Sequence, residues 1–322
     1  MAKSRITIIG LGLIGGSIGL ALRRAKVEAE IVGHDREPLK ARKAKKLGAV
    51  DRADWNLISA CEGADMVIIA TPVMAVKDTL EAIAPYLKPG CLVTDTASVK
   101  GRVMEWAQTT LPESVSFVGG DPIVRGAGTG LEAASADLFK GALYCLCPSP
   151  NAAPEAVQLA TDLVGLLGAE PYFLDPTEHD GLMAGVNHLP FLLSTTLLGI
   201  TTQSASWREM RKLAGGAFES ATHFASSDPS TYRDTCLVNG PNIVRWIDAC
   251  VEGLMALKEI IVAEDAEKLE AAFEGAIVAR EGWLRRKETG NWEAEEGPEM
   301  PSSTGFWAQL FGLGALRRKP SP

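Results

Sequence analysis

The chain has 322 residues, of which 46% are hydrophobic and 22% are charged, and its formal net charge is −8. This length suits two domains, and the composition is that of an ordinary globular protein. The acidic balance argues against a nucleic-acid-binding protein, because such proteins normally carry a basic footprint.

Six short apolar runs in the first half of the chain predict β-strands. They are residues 6–10, 29–35, 65–73, 91–96, 115–120 and 142–149. Segments of helical period lie between them, such as residues 16–26 and 74–87. Because strands that alternate with helices form a parallel sheet covered on both faces, we expect an α/β Rossmann domain with a mostly parallel sheet over residues 1–175.

The pattern changes after residue 175, where helix signals replace strand signals. Residues 187–203 are apolar nearly all round, which predicts a helix buried on every side, in the centre of the domain or between subunits. Residues 253–287 carry apolar residues at three- and four-residue spacing, which predicts two helices. We therefore expect an all-α, 6-phosphogluconate-dehydrogenase-like dimerisation domain over residues 176–288 and a homodimer.

The last segment, residues 289–322, begins with a polar, acidic stretch that contains proline and glycine and predicts a disordered linker. Residues 305–319 are apolar and aromatic and end in basic residues. This pattern fits a weak contact with a partner or a membrane surface. It fits equally well a free tail with a few exposed apolar residues.

Cellular location and metal binding follow from what the sequence lacks. No signal-peptide pattern precedes the first strand, and no uncharged apolar run reaches the roughly 18 residues of a membrane span. The six cysteines contain no C-x-x-C pair, which favours reduced thiols over a disulfide or metal site. We expect a cytoplasmic protein without a metal or a transmembrane span.

The strongest motif is a glycine-rich turn between the first strand and the first helix. Gly10 permits a tight turn, Gly12 allows the backbone to approach a pyrophosphate, and Gly15 allows the helix to pack close to the strand. The intervening Leu13 and Ile14 open the helix, whose N-terminal N–H groups bind an anion. This pattern predicts a dinucleotide-binding site.

Cofactor choice depends on Asp35, which lies 20 residues beyond the third glycine, at the end of the second strand. A carboxylate there accepts hydrogen bonds from the ribose hydroxyls and repels a 2′-phosphate, so NAD is favoured. The neighbouring Arg36 can pair with a phosphate, which keeps NADP open. A purely structural alternative is that Asp35 caps a helix.

Further motifs follow in an order that resembles one enzyme family. They are residues 10–24, ATPV (70–73), TDTASVK (94–100), FVGG-P (117–122), TGLEAA (129–134), EHD (178–180), HLP (188–190) and SSDPSTYRD (226–234). Together they resemble the prephenate and arogenate dehydrogenases of tyrosine biosynthesis over residues 5–285. The resemblance implies NAD-dependent oxidative decarboxylation of a small dicarboxylate by hydride transfer to the nicotinamide.

The resemblance also implies roles for individual residues. Thr71, Pro72 and Val73 would lie along the nicotinamide, and Ser98 would bind near the substrate hydroxyl. Arg233 would hold a substrate carboxylate, since a guanidinium binds a carboxylate with two parallel bonds.

Each of these polar residues also has a structural interpretation. Ser98 can cap the following helix, and Arg233 can be a surface arginine. His188, in the HLP motif, is predicted to contact the substrate and to take part in catalysis, but it can also be a buried core residue. His179, which opens a helix, fits a structural role better.

The sequence departs from the family where a G-G-H-P motif usually carries the catalytic histidine. Here Asp121 stands in that position, with Arg125 soon after it, and His223 stands where an arginine is usual. Phe191 replaces a second family histidine. Three hypotheses follow: Asp121 is a weaker base, the substrate is a modified prephenate, or the chemistry has been lost.

Two other functions remain open on the sequence. A β-hydroxyacid or 6-phosphogluconate-type dehydrogenase shares this domain order, but such enzymes usually rely on a lysine in the helical domain. Residues 178–193 contain none. The other function is that of a non-catalytic, NAD-binding regulatory protein that uses its tail for interactions.

Overall fold

A computed structural model describes residues 4–124, 128–226, 228–290 and 292. Contacts divide the chain into two compact units, with the division between Ile243 and Val244. Among the described residues, the first unit contains one eight-stranded sheet and helices, and the second contains helices. Residues 293–322, including the predicted contact segment 305–319, lie outside the described residues, as does Arg125. The domain boundaries at 175 and 288 stay predictions.

The strands of the sheet are β1 (Ser4–Ile9), β2 (Ala29–His34), β3 (Arg52–Ala53), β4 (Met66–Ile69), β5 (Leu92–Asp95), β6 (Ser116–Pro122), β7 (Leu143–Pro148) and β8 (Glu170–Phe173). Their order in space is β3-β2-β1-β4-β5-β6-β7-β8, and only the β6–β7 pair is antiparallel. The mostly parallel Rossmann sheet is confirmed. Two strands were not predicted, because β3 pairs over two residues and β8 is an exposed edge strand without a buried face.

The helices of the α/β region are α1 (Leu13–Arg24), α2 (Pro38–Lys46), α3 (Leu57–Cys61), α4 (Val73–Ile83), α5 (Gly101–Thr110) and α6 (Pro154–Leu167). Both faces of the sheet are buried beneath helices, which explains why its central strands read as continuous apolar runs. In β4, for example, Met66 and Ile68 face one apolar cluster while Val67 and Ile69 face the other.

The remaining helices are α7 (Pro176–Met183), α8 (Leu189–Thr202), α9 (Trp207–Leu213), α10 (Gly216–Thr222), α11 (Pro229–Val238), α12 (Gly240–Val262) and α13 (Ala266–Thr289). A π-helical turn, Ala184–His188, joins α7 to α8, and a 3-10 turn, His223–Ser226, precedes α11. The helical C-terminal region and the two helices predicted near its end are confirmed.

The described residues of the chain do not bury helix α8. Among its residues only Ser194 is buried, while Leu193 and Ile200 are 43% and 64% exposed. The prediction of a helix buried in the centre of its own domain is therefore wrong. Within the described residues, the segment Pro176–Thr202 is also long and apolar enough to cross a membrane. Length and composition alone do not distinguish such a span from a helix that another protein surface covers.

Candidate active site

The glycine turn follows β1, and two of its glycines are required by the protein's own packing. Gly10 has a φ of +90°, and a Cβ there would lie 2.4 Å from the carbonyl oxygen of Ala70. A Cβ on Gly15 would lie 1.9 Å from the carbonyl oxygen of Gly10. Both positions therefore hold α1 against the carboxyl ends of β1 and β4, which is the crevice where such sheets bind nucleotides.

Gly12 differs, because a Cβ there would meet no atom of the described protein within 4 Å. Gly12 is the N-cap of α1 and offers no side chain to cap the first helical amides. An uncapped helix N-terminus beside open space is suited to an anion such as a pyrophosphate. The packing of the described protein therefore does not require the lack of a side chain at Gly12, and the space beside it fits a ligand. Leu13 and Ile14 form the first turn of this helix.

We expect Gly12→Ala to weaken NAD binding without destabilising the fold, since the added methyl group enters only the space of the ligand. The Kd for NAD should rise at least about tenfold, while the midpoint of urea unfolding stays at the parental value. Gly15→Ala is the matched control, because its methyl group meets backbone and should lower that midpoint. Unchanged NAD affinity in Gly12→Ala would contradict this assignment.

Asp35 lies beside the glycine turn, immediately after β2. Its Oδ2 accepts from the Leu11 amide at 2.9 Å and its Oδ1 from the Glu37 amide at 2.8 Å. The N-cap of α2 is Glu37, so the alternative in which Asp35 caps that helix is wrong. The two amide bonds instead fix the carboxylate at the crevice, and Arg36 is exposed beside it.

The ATPV segment lies at the carboxyl end of β4, next to the glycine turn. The Thr71 hydroxyl is buried and has no hydrogen-bond partner among the described residues. Pro72 is the N-cap of α4, and Val73 is buried as its first residue. A buried hydroxyl without a partner at this edge fits a polar group of a bound dinucleotide. With Gly12 and Asp35, it shows that the residues present fit NAD.

Ser98 lies in the loop between β5 and α5 and is partly buried. Helix α5 begins only at Gly101, with Lys100 at its N-cap, so the alternative in which Ser98 caps this helix is wrong. The amides of Lys100 and Gly101 donate instead to the two carboxylate oxygens of Asp180, at 2.6 and 2.8 Å. Helix α7 thereby supplies the cap of α5 and ties the Ser98 loop to the helical region.

A fully buried ion pair, which the sequence patterns did not predict, lies beneath this loop. Lys100 Nζ donates to Asp95 Oδ2 at 2.5 Å and to the Gly120 carbonyl oxygen at 2.6 Å. Asp95 Oδ1 accepts from the Gly120 amide at 3.1 Å. Both side chains are 0% exposed. The pair fixes the end of β6 that carries Asp121. In the sequence, the lysine of the SVK motif was the one residue that pointed to this pair.

The Gly119–Gly120 pair before Asp121 is required by the same packing. A Cβ on Gly119 would lie 2.9 Å from Met104 Sδ, and one on Gly120 would lie 2.6 Å from the Asp95 carbonyl oxygen. The sequence G-G-D-P thus places Asp121 close to the buried ion pair.

Asp121 is bonded to a histidine that the sequence interpretation assigned a structural role. His179 Nε2 lies 3.1 Å from Asp121 Oδ2, and His179 Nδ1 lies 3.0 Å from Asp180 Oδ1. Burial raises the pKa of Asp121, although the bond to His179 opposes this effect. Burial also disfavours a charged His179, but the bonds to Asp121 and Asp180 outweigh it and raise its pKa to about 10. The pair therefore retains a proton at neutral pH.

His188 is buried on the π-helical turn, a local distortion often found at functional sites. Asn239 donates its amide N–H to the Asp180 carbonyl oxygen at 2.9 Å and faces His188 Nδ1 at 3.4 Å. Its oxygen accepts from Asn242 at 2.8 Å, which fixes the orientation of the amide. His188 Nδ1 is therefore an acceptor, and the ring hydrogen lies on Nε2.

His188 Nε2 makes no hydrogen bond of normal geometry among the described residues, although a contact with the Ser98 backbone slightly raises the pKa of the ring. Burial lowers the pKa of His188 to about 4, so the ring is neutral at physiological pH. A neutral imidazole with its hydrogen on Nε2 is a hydrogen-bond donor there and not a base. This geometry suits a contact with a substrate oxygen better than proton abstraction.

Arg233 lies on α11 with its side chain 66% exposed, and its guanidinium bonds to Asp234 Oδ1 at 2.6–2.7 Å. Next to it, Tyr232 stacks on Phe191, with ring centroids 3.5 Å apart. His223 is exposed and contacts Phe224 edge-on. Phe191 thus contributes an aromatic contact to this part of the helical region.

The fold and this site together define an NAD-dependent dehydrogenase of the Rossmann class. The sequence model of the prephenate dehydrogenase nucleotide-binding domain matches residues 18–173, and that of the prephenate dehydrogenase dimerization domain matches residues 175–275. The chain belongs to the prephenate dehydrogenase family. The resemblance stated from the motifs is thereby confirmed.

Similar proteins cover most of this chain. Prephenate dehydrogenase of Bacillus subtilis is 35% identical over 88% of this chain and 78% of its own length. Cyclohexadienyl dehydrogenase of Zymomonas mobilis is 28% identical over 85% of this chain and 94% of its own length. The crystal structure of A. aeolicus prephenate dehydrogenase in complex with hydroxyphenyl propionate and NAD+ is 27% identical, with a TM-score of 0.82, covering 88% of this chain and 99% of that chain.

Proposed function

We propose that this protein catalyses the NAD-dependent oxidative decarboxylation of prephenate or arogenate in tyrosine biosynthesis. The observation that carries the proposal is the likeness, over 88% of the chain, to a prephenate dehydrogenase whose crystal structure holds both NAD+ and hydroxyphenyl propionate. The helix N-terminus at Gly12, the Thr71 hydroxyl and Asp35 provide for the cofactor. When bound, NAD supplies the nicotinamide that accepts a hydride.

Proton handling is assigned to Asp121. As hydride leaves the ring carbon that bears the hydroxyl, the hydroxyl proton passes to the Asp121 carboxylate. The bond to the ring carboxylate then breaks, carbon dioxide departs, and its electron pair makes the ring aromatic. The proton returns from Asp121 to the phenolate oxygen, so the substrate loses one hydride and one carbon dioxide with no net change in protons.

Substrate orientation is assigned to three further side chains. The His188 Nε2–H group donates to a substrate oxygen, and the Ser98 hydroxyl bonds near the substrate hydroxyl. Arg233 holds a carboxylate of the dicarboxylate substrate, for which it exchanges part of its contact with Asp234. A chain of net charge −8 needs such a local cation to bind a dianion.

The test is an assay of NAD reduction by purified protein with prephenate and, separately, with arogenate. Turnover of either supports the proposal and identifies the substrate. NAD binding without turnover of any prephenate analogue would favour the non-catalytic alternative.

A second candidate is a prephenate that carries an amino group in place of the ring hydroxyl. The observation that favours it is Asp121 itself, since a buried carboxylate pairs with an ammonium group where the family histidine would not. Faster turnover of the amino compound than of prephenate in the same assay would select this substrate.

Arg233→Ala should raise the KM for the dicarboxylate far more than the KM for NAD. Loss of a charge-assisted contact costs about 2–3 kcal/mol, which corresponds to roughly 30- to 150-fold in affinity. Arg208→Ala is the matched control, because that side chain is 80% exposed on α9. An unchanged KM for the substrate would contradict this prediction and would indicate that Arg233 is an ordinary surface residue.

We also propose a cytoplasmic homodimer formed through the helical region. The dimerization-domain match covers residues 175–275, and within it Val186, Leu193 and Ile200 are exposed in the single chain. A group of exposed apolar residues along one helical segment indicates an interaction surface. Light scattering of the purified protein tests the dimer, and a monomer at micromolar concentration would contradict it. The weak contact of residues 305–319 stays a prediction.

A further inference from the structure

We infer that His179 is a positioning residue that keeps Asp121 ionised and oriented as the base, with Asp180 holding the other side of the imidazole ring. This inference rests on the proposed function, in which Asp121 accepts the substrate proton. By the motif resemblance, Asp121 stands where the family carries its catalytic histidine. Helix α7 would thus supply from another part of the chain an imidazole that β6 lacks.

The two ring nitrogens of His179 each face a carboxylate. Nε2 lies 3.1 Å from Asp121 Oδ2, Nδ1 lies 3.0 Å from Asp180 Oδ1, and the His179 side chain is 0% exposed. An ionised carboxylate only accepts hydrogen bonds, so satisfying both contacts requires a hydrogen on both nitrogens. When both carboxylates are ionised, the ring is therefore an imidazolium that donates to Asp121 and to Asp180, in agreement with its raised pKa.

Asp180 cannot turn away from the ring without breaking other bonds. Its Oδ1 also accepts from the Lys100 amide and its Oδ2 from the Gly101 amide, at 2.6 and 2.8 Å. These amides open α5, where a carboxylate is stabilised by the helix dipole. The N-terminus of α5 therefore fixes Asp180, Asp180 fixes the imidazolium, and the imidazolium fixes the Asp121 carboxylate.

The other titratable groups around Asp121 do not substitute for His179. Among the described residues they come from β5, the loop before α5, β7 and α7, and they are Asp95, Lys100, Tyr144, Cys145 and Asp180. Lys100 is the other cation, but its ammonium group bonds to Asp95 and to the Gly120 carbonyl oxygen. His179 is thus the cation in direct contact with Asp121.

The consequence is a specific dependence of rate on pH. Asp121 accepts a proton only when ionised, so kcat falls as pH falls through its pKa. Burial raises that pKa and His179 opposes the rise. Removing the imidazolium therefore moves the acid limb of the kcat profile to higher pH, by at least about one unit, as loss of an adjacent opposite charge does.

The experiment compares the kcat profiles of the parent, His179→Gln and His34→Gln with prephenate between pH 5 and 9. Glutamine keeps an amide donor of similar length but carries no charge. The His34 ring contacts the Asp54 carbonyl oxygen at the end of β2, which three strands separate from β6 in the sheet, so the same substitution there should keep the parental limb. We expect the shift only in His179→Gln. A lower kcat at every pH with an unmoved limb would overturn the inference and leave His179 a structural residue.

A second measurement does not depend on enzyme turnover, and it does not require a folded variant at position 179. The chain has four histidines, so ring NMR signals of the substrate-free protein are few enough to follow individually. One ring should remain an imidazolium through pH 8, and Asp121→Asn should lower its pKa. A chain with no histidine charged at pH 8 overturns the inference. Absence of turnover in the parent would instead refute the proposed function, and the titration would still decide the charge of His179.

Discussion

Replacing Asp121 with asparagine should lower kcat at least about a hundredfold, the usual contribution of a general base. The amide can still accept the bond from His179 Nε2 but cannot take the substrate proton. Because Asp121 lies apart from the glycine turn of the cofactor site, the Kd for NAD should stay at the parental value. Steady-state kinetics with prephenate and fluorescence titration with NAD measure the two quantities.

A purely structural role for Asp121 would be to anchor the turn before Pro122 by accepting hydrogen bonds from backbone amides. Among the described residues its carboxylate bonds His179 and no backbone N–H. Full activity of Asp121→Asn would nevertheless remove it as the base. His188 would not be an adequate replacement, because its pKa near 4 and its Nε2–H make it a donor. Asp162→Asn, on the exposed face of α6, controls for the general effect of losing one carboxylate.

Replacing Lys100 with methionine should lower the free energy of unfolding by about 3–5 kcal/mol, because it leaves Asp95 as a buried charge without its partner. Urea unfolding followed by circular dichroism measures the change. The same substitution at Lys88 is the matched control: its ammonium group also lies 2.5 Å from a carboxylate, that of Asp65, but both side chains are about 40% exposed. Loss of an exposed pair of this kind costs less than about 1 kcal/mol.

A double variant separates the buried charge from the lost packing. Asp95→Asn combined with Lys100→Met removes both charges and should recover part of the stability that Lys100→Met loses. If Lys100→Met and Lys88→Met lost equal free energy of unfolding, burial of the Lys100–Asp95 pair would not explain its contribution to stability. Because Lys100 also bonds the Gly120 carbonyl oxygen, Lys100→Met should lower kcat as well, through displacement of Asp121.

Local patterns in the sequence were enough to predict the cofactor half of this protein. The glycine turn, the strand before it and the acid after β2 are encoded within about 35 residues, and each acts through backbone geometry that the residue type dictates. Apolar runs likewise predicted the six strands that have a buried face. They failed for β3, which is too short to show a pattern, and for β8, which is exposed.

Only the tertiary structure decided the surroundings of Asp121. His179 lies 58 residues along the chain from Asp121, and Asp180 lies 80 residues from Lys100, so no local pattern could pair them. The sequence interpretation treated His179 as a helix-opening residue because charged and buried histidines look alike in a sequence. Burial of Lys100 was equally hidden, since lysine is almost never fully buried unless it is paired. Electrostatics of this kind depends on distance and exclusion of water, which the fold alone determines.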